Sequence, residues 1–223
     1  MKNNNKVQGQ FERILDRYFE EVLADHPVMA NQLGLRSGEG KLGNLGLAFE
    51  RRQEKRRYRT LGELDQLAVN ELTGEQHLDR LALRAQILAE CEDFARGKHT
   101  LEPDGVDFVF GILLHELQRG DDEPSRARRN IRGILKGTPG YLFRAAKMIG
   151  RPERVWRRIM QQTVNGAESM YVALTDFLGE GDLTAIAATR RAVKKYCVEI
   201  MAKPLAPHNS FAVGAQALQR RVR

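Results

Sequence analysis

Apolar residues recur at spacings of three and four along nearly the whole chain, and this regularity restricts the fold more than any other feature. Phe11, Ile14, Leu15, Tyr18, Phe19, Val22 and Leu23 form one stripe. The longest runs through Val155, Trp156, Ile159, Met160, Thr163, Val164, Ala167, Met170, Tyr171, Leu174, Phe177 and Leu178. At helical pitch such residues share one face and must bury it against a neighbour. No stretch alternates apolar and polar residues as a half-buried strand would. The expected fold is all-α, an array of about eight to ten mostly antiparallel helices joined by short connections.

Local signals place the boundaries. His26-Pro27 closes the first helix, because a residue before proline avoids the α region, and Pro27 opens a short second one. Residues 34–46 hold five of the chain's 20 glycines. They read as a Gly-rich loop, long for a compact domain and therefore functional or mobile. Thr73 and Gln76 have the spacing of a capping box. Gly137-Thr138-Pro139-Gly140 reads as a break between two helices, with Thr138 capping the second. Asp182 is expected to cap the helix that follows Gly179. The stripe over 155–178 is expected as one central helix, in which Trp156→Ala or Ile159→Ala costs several kcal/mol. From Phe211, the residues Ala215, Leu218 and Val222 continue at helical spacing with no stop signal. That pattern suits a portion of something longer. It equally suits a frayed terminal helix with the basic tail Arg220, Arg221 and Arg223.

Composition narrows the class. With 223 residues, 42% of them hydrophobic, the chain can bury a core without metal or disulfide staples. Residues 1–223 are expected as a single helical domain. The ~18–20 consecutive apolar residues of a membrane span occur nowhere, so no membrane partner is expected. Glu12, Arg13, Asp16, Arg17, Glu20 and Glu21 interrupt the first apolar stripe, which argues against a secretory leader and for a cytoplasmic protein. Cys91 and Cys197 sit among apolar residues at helical spacing and read as reduced, buried thiols.

Few residues suggest chemistry. None of His26, His77, His99, His115 and His208 pairs with another at the spacing that puts two imidazoles on one helix face. His115-Glu116-Leu117-Gln118-Arg119 begins like the zinc-peptidase pattern His-Glu-x-x-His, but an arginine stands where the second ligand belongs and would repel a dication. It reads instead as a helix C-terminal turn, whose negative dipole end favours His115 and Arg119. Asp121-Asp122-Glu123 reads as an acidic helix start near Pro124. No catalytic, cofactor-binding or metal-binding residue can be assigned.

Basic clusters are the least explained feature. Residues 51–59 carry six positive charges, Arg51, Arg52, Lys55, Arg56, Arg57 and Arg59, against one negative. Arg126, Arg128, Arg129 and Arg132 form a second group. Arg151, Arg154, Arg157 and Arg158 form a third, beside Trp156. Together the first and third make a candidate basic surface. Such clusters can neutralise phosphates or meet an acidic protein, although solvated helix faces look the same and no nucleic-acid-binding signature accompanies them.

Several segments, taken in order, are similar to a known family. These are His26-Pro-Val-Met-Ala-Asn-Gln-Leu-Gly-Leu35, Leu64-Asp65-Gln-Leu with Leu72-Thr-Gly-Glu-Gln, and Pro103-Asp104-Gly. Arg129-Asn-Ile-Arg-Gly-Ile-Leu-Lys-Gly-Thr-Pro139 follows, then Ala192-Val-Lys-Lys-Tyr196, Leu205-Ala-Pro207 and Phe211-Ala-Val-Gly214. Their order resembles the N-terminal portion of the bacterial domain-of-unknown-function 885 family, relatives of gluzincin-type zinc metallopeptidases. The resemblance implies a non-catalytic helical region that helps wall a substrate channel. It also implies that zinc belongs to a C-terminal part bearing a His-Glu motif, which this chain lacks. The expected partner is then that C-terminal half or a second copy of the chain. The alternative is a basic helical interaction module that binds nucleic acid or an acidic protein.

Overall fold

Ten α-helices and four 3-10 turns, and no strand, are present among the described residues, 4–210 and 212–222, of the computed structural model. The helices are α1 (Asn4–Asp25), α2 (Pro27–Gln32), α3 (Leu47–Asp65), α4 (Gly74–Ala95) and α5 (Gly105–Arg119). They continue with α6 (Pro124–Met148), α7 (Arg154–Asn165), α8 (Ala167–Leu178), α9 (Leu183–Met201) and α10 (Ala215–Val222). The all-α array expected from the periodicity is therefore present. Phe211 and Arg223, named above for the last helix and its basic tail, lie outside the described residues. Among the described residues, no helix is long and apolar enough to cross a membrane.

The chain divides into two compact units. One takes the chain up to Leu23, Leu47–Lys98 and the stretch from Ala212. Its core joins Phe11, Ile14 and Tyr18 of α1 to Leu61 and Leu64 of α3 and to Leu83 and Ile87 of α4. The capping box is formed: the Thr73 hydroxyl accepts from Gln76 N at 3.2 Å, and Gln76 Oε1 accepts from Thr73 N at 3.3 Å. Buried Arg80 donates to the Leu64 carbonyl at 2.9 Å, covering an acceptor that the end of α3 leaves open.

The other unit takes Ala24–Gly46 and the chain from His99. Its core centres on α6, whose Ile131, Ile134, Leu135 and Leu142 are almost wholly buried with Val109 and Leu113 of α5 and Val193 and Ile200 of α9. Pro27 opens α2 as expected. Helix α6 departs from expectation, because Gly137-Thr138-Pro139-Gly140 does not break it and Pro139 lies inside one 25-residue helix. Thr138 caps nothing; its hydroxyl donates to the Ile134 carbonyl at 2.8 Å. The carbonyl of Leu135, which Pro139 leaves without its helical donor, receives the hydroxyl of Thr189 from α9 at 3.5 Å.

The expected central helix over 155–178 is two helices. The chain leaves α7 at Gly166, in the bridge region at φ −84° and ψ 0°, and starts α8 at once. Asn165 and Gly166 are both weak helix formers, and glycine alone costs about 1 kcal/mol relative to alanine inside a helix. The phase that buries Met160, Ala167, Tyr171 and Leu174 turns Val155 and Ile159 outward, and Ile159 is 36% exposed. The large cost expected for Ile159→Ala therefore belongs to Met160. Asp182 precedes α9 without capping it; both its oxygens take Arg132, at 2.9–3.1 Å.

Candidate functional site

Helix α5 buries one stripe, Val106, Val109, Phe110 and Leu113. Glu116 stands three positions after Leu113 and seven after Val109, so the same stripe carries it into the interior, where it is 0% exposed. A lone buried carboxylate would be very costly, and the fold surrounds this one with donors. Asn31 Nδ2, from α2, donates to Oε1 at 2.6 Å, and Asn130 Nδ2, from α6, donates to Oε2 at 3.0 Å. Arg119, one turn on, donates from one guanidinium nitrogen to Asn31 Oδ1 at 2.9 Å and to Glu116 Oε1 at 3.2 Å. Its other terminal nitrogen meets His115 Nε2 at 3.2 Å. Because arginine only donates, Nε2 is the acceptor wherever this contact is a hydrogen bond. Arg119 ends α5, as the helix C-terminal reading of this segment requires.

This geometry does not suit Glu116 to proton transfer. Both oxygens are engaged by fixed amides, and a permanent cation lies against Oε1. Among the described residues, no group of three or more His, Cys, Asp or Glu is placed to hold a metal ion.

The Gly-rich loop 34–46 packs beside this cluster. Glu39 takes Arg126 at 2.7 Å and Arg129 at 3.4 Å, and Leu42 is buried in the core. Gly40, at φ +67°, lies so close to α6 that a Cβ on Gly133 would fall 2.6 Å from the Gly40 carbonyl oxygen. Of the two readings open for this loop, packing of this kind does not favour mobility.

The expected basic surface is distributed unevenly. In the first unit Arg51, Arg52 and Lys55 are exposed, with Arg52 over the Phe49 ring at 5.3 Å. Arg56 is buried, Arg57 pairs with Glu90 at 2.9 Å, and Arg59 pairs with Glu21 at 2.5 Å. In the second unit Arg151, Arg154 and Arg158 are exposed. Arg157 turns to the end of α9, donating to the Met201 and Lys203 carbonyls at 3.5 Å. Arg128 lies over Phe177 at 5.1 Å, and Arg132 is held by Asp182.

Asp121 and Asp122 are exposed between α5 and α6, while Glu123 pairs with Arg126 at 2.5 Å and makes no side-chain cap. Cys91 and Cys197 are free thiols, half-buried and not fully buried as expected, and burial pushes both up, away from the reactive thiolate. The sequence signal that could have found the Glu116 cluster was the phase of α5. Nothing local pointed to Asn31 or Asn130 as its partners.

Comparison with known protein families, with characterised proteins and with solved structures finds no match to this chain.

Proposed function

We propose that this chain serves as the non-catalytic helical region of a peptidase-like protein, of the kind its motif order resembles. In this reading it supplies framework and binding surface, and the zinc and its ligands belong to another polypeptide part. Two of the segments that carry the resemblance, those around Asn31 and Asn130, meet on the Glu116 carboxylate. That convergence is the observation that supports the reading most directly. It gives both segments a structural role and leaves Glu116, the residue nearest to a zinc-peptidase motif, without a free oxygen.

The test is to mix the purified chain with a zinc-bearing catalytic polypeptide of the same family. Gel filtration and a mixed peptide pool analysed by mass spectrometry then report complex formation and cleavage. A stable complex is expected, with cleavage only when the catalytic part is present. Zinc-dependent cleavage by this chain alone, abolished by a chelator and by Glu116→Gln, would overturn the reading. So would failure of the two polypeptides to associate.

A further inference from the structure

Apart from Arg128, which lies over the Phe177 ring, the basic residues of α6 and α9 fall into two classes. Helix α6 carries seven basic residues and no acidic one, and the single acid of α9 is Glu199. Arg126, Arg129, Arg132, Lys147 and Arg190 are spent on ion pairs with Glu39, Asp182, Glu199 and Glu168. Lys136, Arg144, Arg191, Lys194 and Lys195 are exposed and make no ion pair among the described residues.

Two of the unpaired cations, Arg191 and Lys195, line an apolar groove. Between α6 and α9 lies a groove of about 340 Å³ lined by Pro139, Phe143, Ala188, Arg191, Ala192 and Lys195, among others. Phe143 is 54% exposed on its wall, with Lys147 Nζ 5.4 Å and Lys195 Nζ 6.0 Å from its ring centre. Small side chains at Ala188 and Ala192 keep the floor low. The lining continues along α9 as far as Glu199. From Ala188 to Glu199 is about 16 Å, roughly three helical turns. An amphipathic helix that sets its anchors at i, i+3, i+4 and i+7 needs about 11 Å, or two turns, so the groove is long enough to seat one. A second groove of about 390 Å³, beside Tyr171 and Ile186, differs in charge, because its cation Arg190 already pairs with Glu168 at 2.5 Å.

We propose that the α6–α9 groove binds an acidic, amphipathic helical segment of a partner protein. The apolar face of that segment covers Phe143, Ala188 and Ala192, and its carboxylates reach Arg191 and Lys195. A continuous groove with cations on its border and its one acid already paired selects the charge of the occupant as well as its shape. This occupant is defined by the groove alone and does not depend on the peptidase-like role.

The probe is a fluorescein-labelled synthetic helix with leucines at i, i+3, i+4 and i+7 and glutamates beside them, followed by anisotropy with the full chain. Binding near micromolar Kd is expected at low salt, weakening as salt screens the rim. The double variant Arg191→Glu, Lys195→Glu should weaken it about tenfold or more, and so should Phe143→Ala. All three residues are exposed, and circular dichroism checks that the variants fold. Arg13→Glu with Arg36→Glu, exposed and absent from the groove lining, should leave binding unchanged. The proposal is overturned by absence of binding, by equal binding of a lysine-for-glutamate peptide, or by groove variants that bind like the parent. It is also overturned if the parent is a dimer that Phe143→Ala dissociates, since a second copy would then be the occupant.

Discussion

The Thr189 hydroxyl of α9 stands 3.5 Å from the Leu135 carbonyl of α6, the acceptor stranded by Pro139 four residues further on. Thr189 is completely buried, so water cannot replace it. Thr189→Val keeps the shape and removes the donor, and should cost about 1–3 kcal/mol. Pro139→Ala restores the helical N–H and should stabilise the chain, by up to about 3 kcal/mol. In the Pro139→Ala background the Thr189→Val cost should shrink, because Leu135 then has its own donor. Urea unfolding of the four proteins measures this coupling. Additive effects would mean that Thr189 does not compensate for the proline.

The Glu116 cluster predicts an ordering of variants. Glu116→Ala leaves Asn31, Asn130 and the Arg119 cation facing an empty interior and should cost about 3–5 kcal/mol. Glu116→Gln retains one acceptor for Asn31 and Arg119 but opposes the Asn130 amide with another donor, so about 1–3 kcal/mol is expected. Denaturation midpoints give the order. Equal stability of Glu116→Ala and the parent would remove the framework role of this carboxylate.

Signals that act within one turn were legible in the sequence. Pro27 opening α2 and the Thr73–Gln76 capping box both formed as their spacing required. Readings failed where the deciding partner was distant in the chain. Pro139 reads as a break because nothing near it reveals Thr189. Residues 51–59 read as one basic strip because the partners of Arg57 and Arg59, Glu90 and Glu21, lie on α4 and α1. The burial of Glu116 was implicit in the phase of Val109 and Leu113, whereas Asn31 and Asn130 come from separate helices with no local mark.

Two glycine-to-alanine changes should act in opposite directions. Gly62, in α3, has open space where a Cβ would go, so Gly62→Ala should stabilise by about 0.5–1 kcal/mol through helix propensity alone. Gly133→Ala gains the same propensity but drives a methyl to 2.6 Å from the Gly40 carbonyl oxygen, which is backbone and cannot rotate away. The loop must shift, with loss of Glu39 from Arg126 and Arg129, and a net cost of about 1–3 kcal/mol is expected. Thermal melts of both variants check the pair. Stabilisation by Gly133→Ala would mean that the loop does not sit against α6.

Tyr171 predicts a response to base. Its hydroxyl is buried with no hydrogen-bond partner, and burial pushes its ionisation up from 10.0 to about 12, against the opposing pull of Arg190 over its ring at 4.8 Å. The folded state therefore keeps this proton after the unfolded chain has released it. The stability so contributed is complete below about pH 10 and is lost as pH rises towards about 12. A gap of this size corresponds to about 3 kcal/mol at most. Tyr171→Phe has no proton to lose, so its stability should fall less across that window. At neutral pH it should match or slightly exceed the parent, because the hydroxyl makes no bond. Tyr141 and Tyr196 are pushed up further by burial but are the same in both proteins, so their contributions cancel in the comparison. Urea midpoints of the two proteins at about pH 9 and about pH 11.5 measure the difference directly. Parallel losses would place the Tyr171 hydroxyl in contact with water and remove its part in the α8 core.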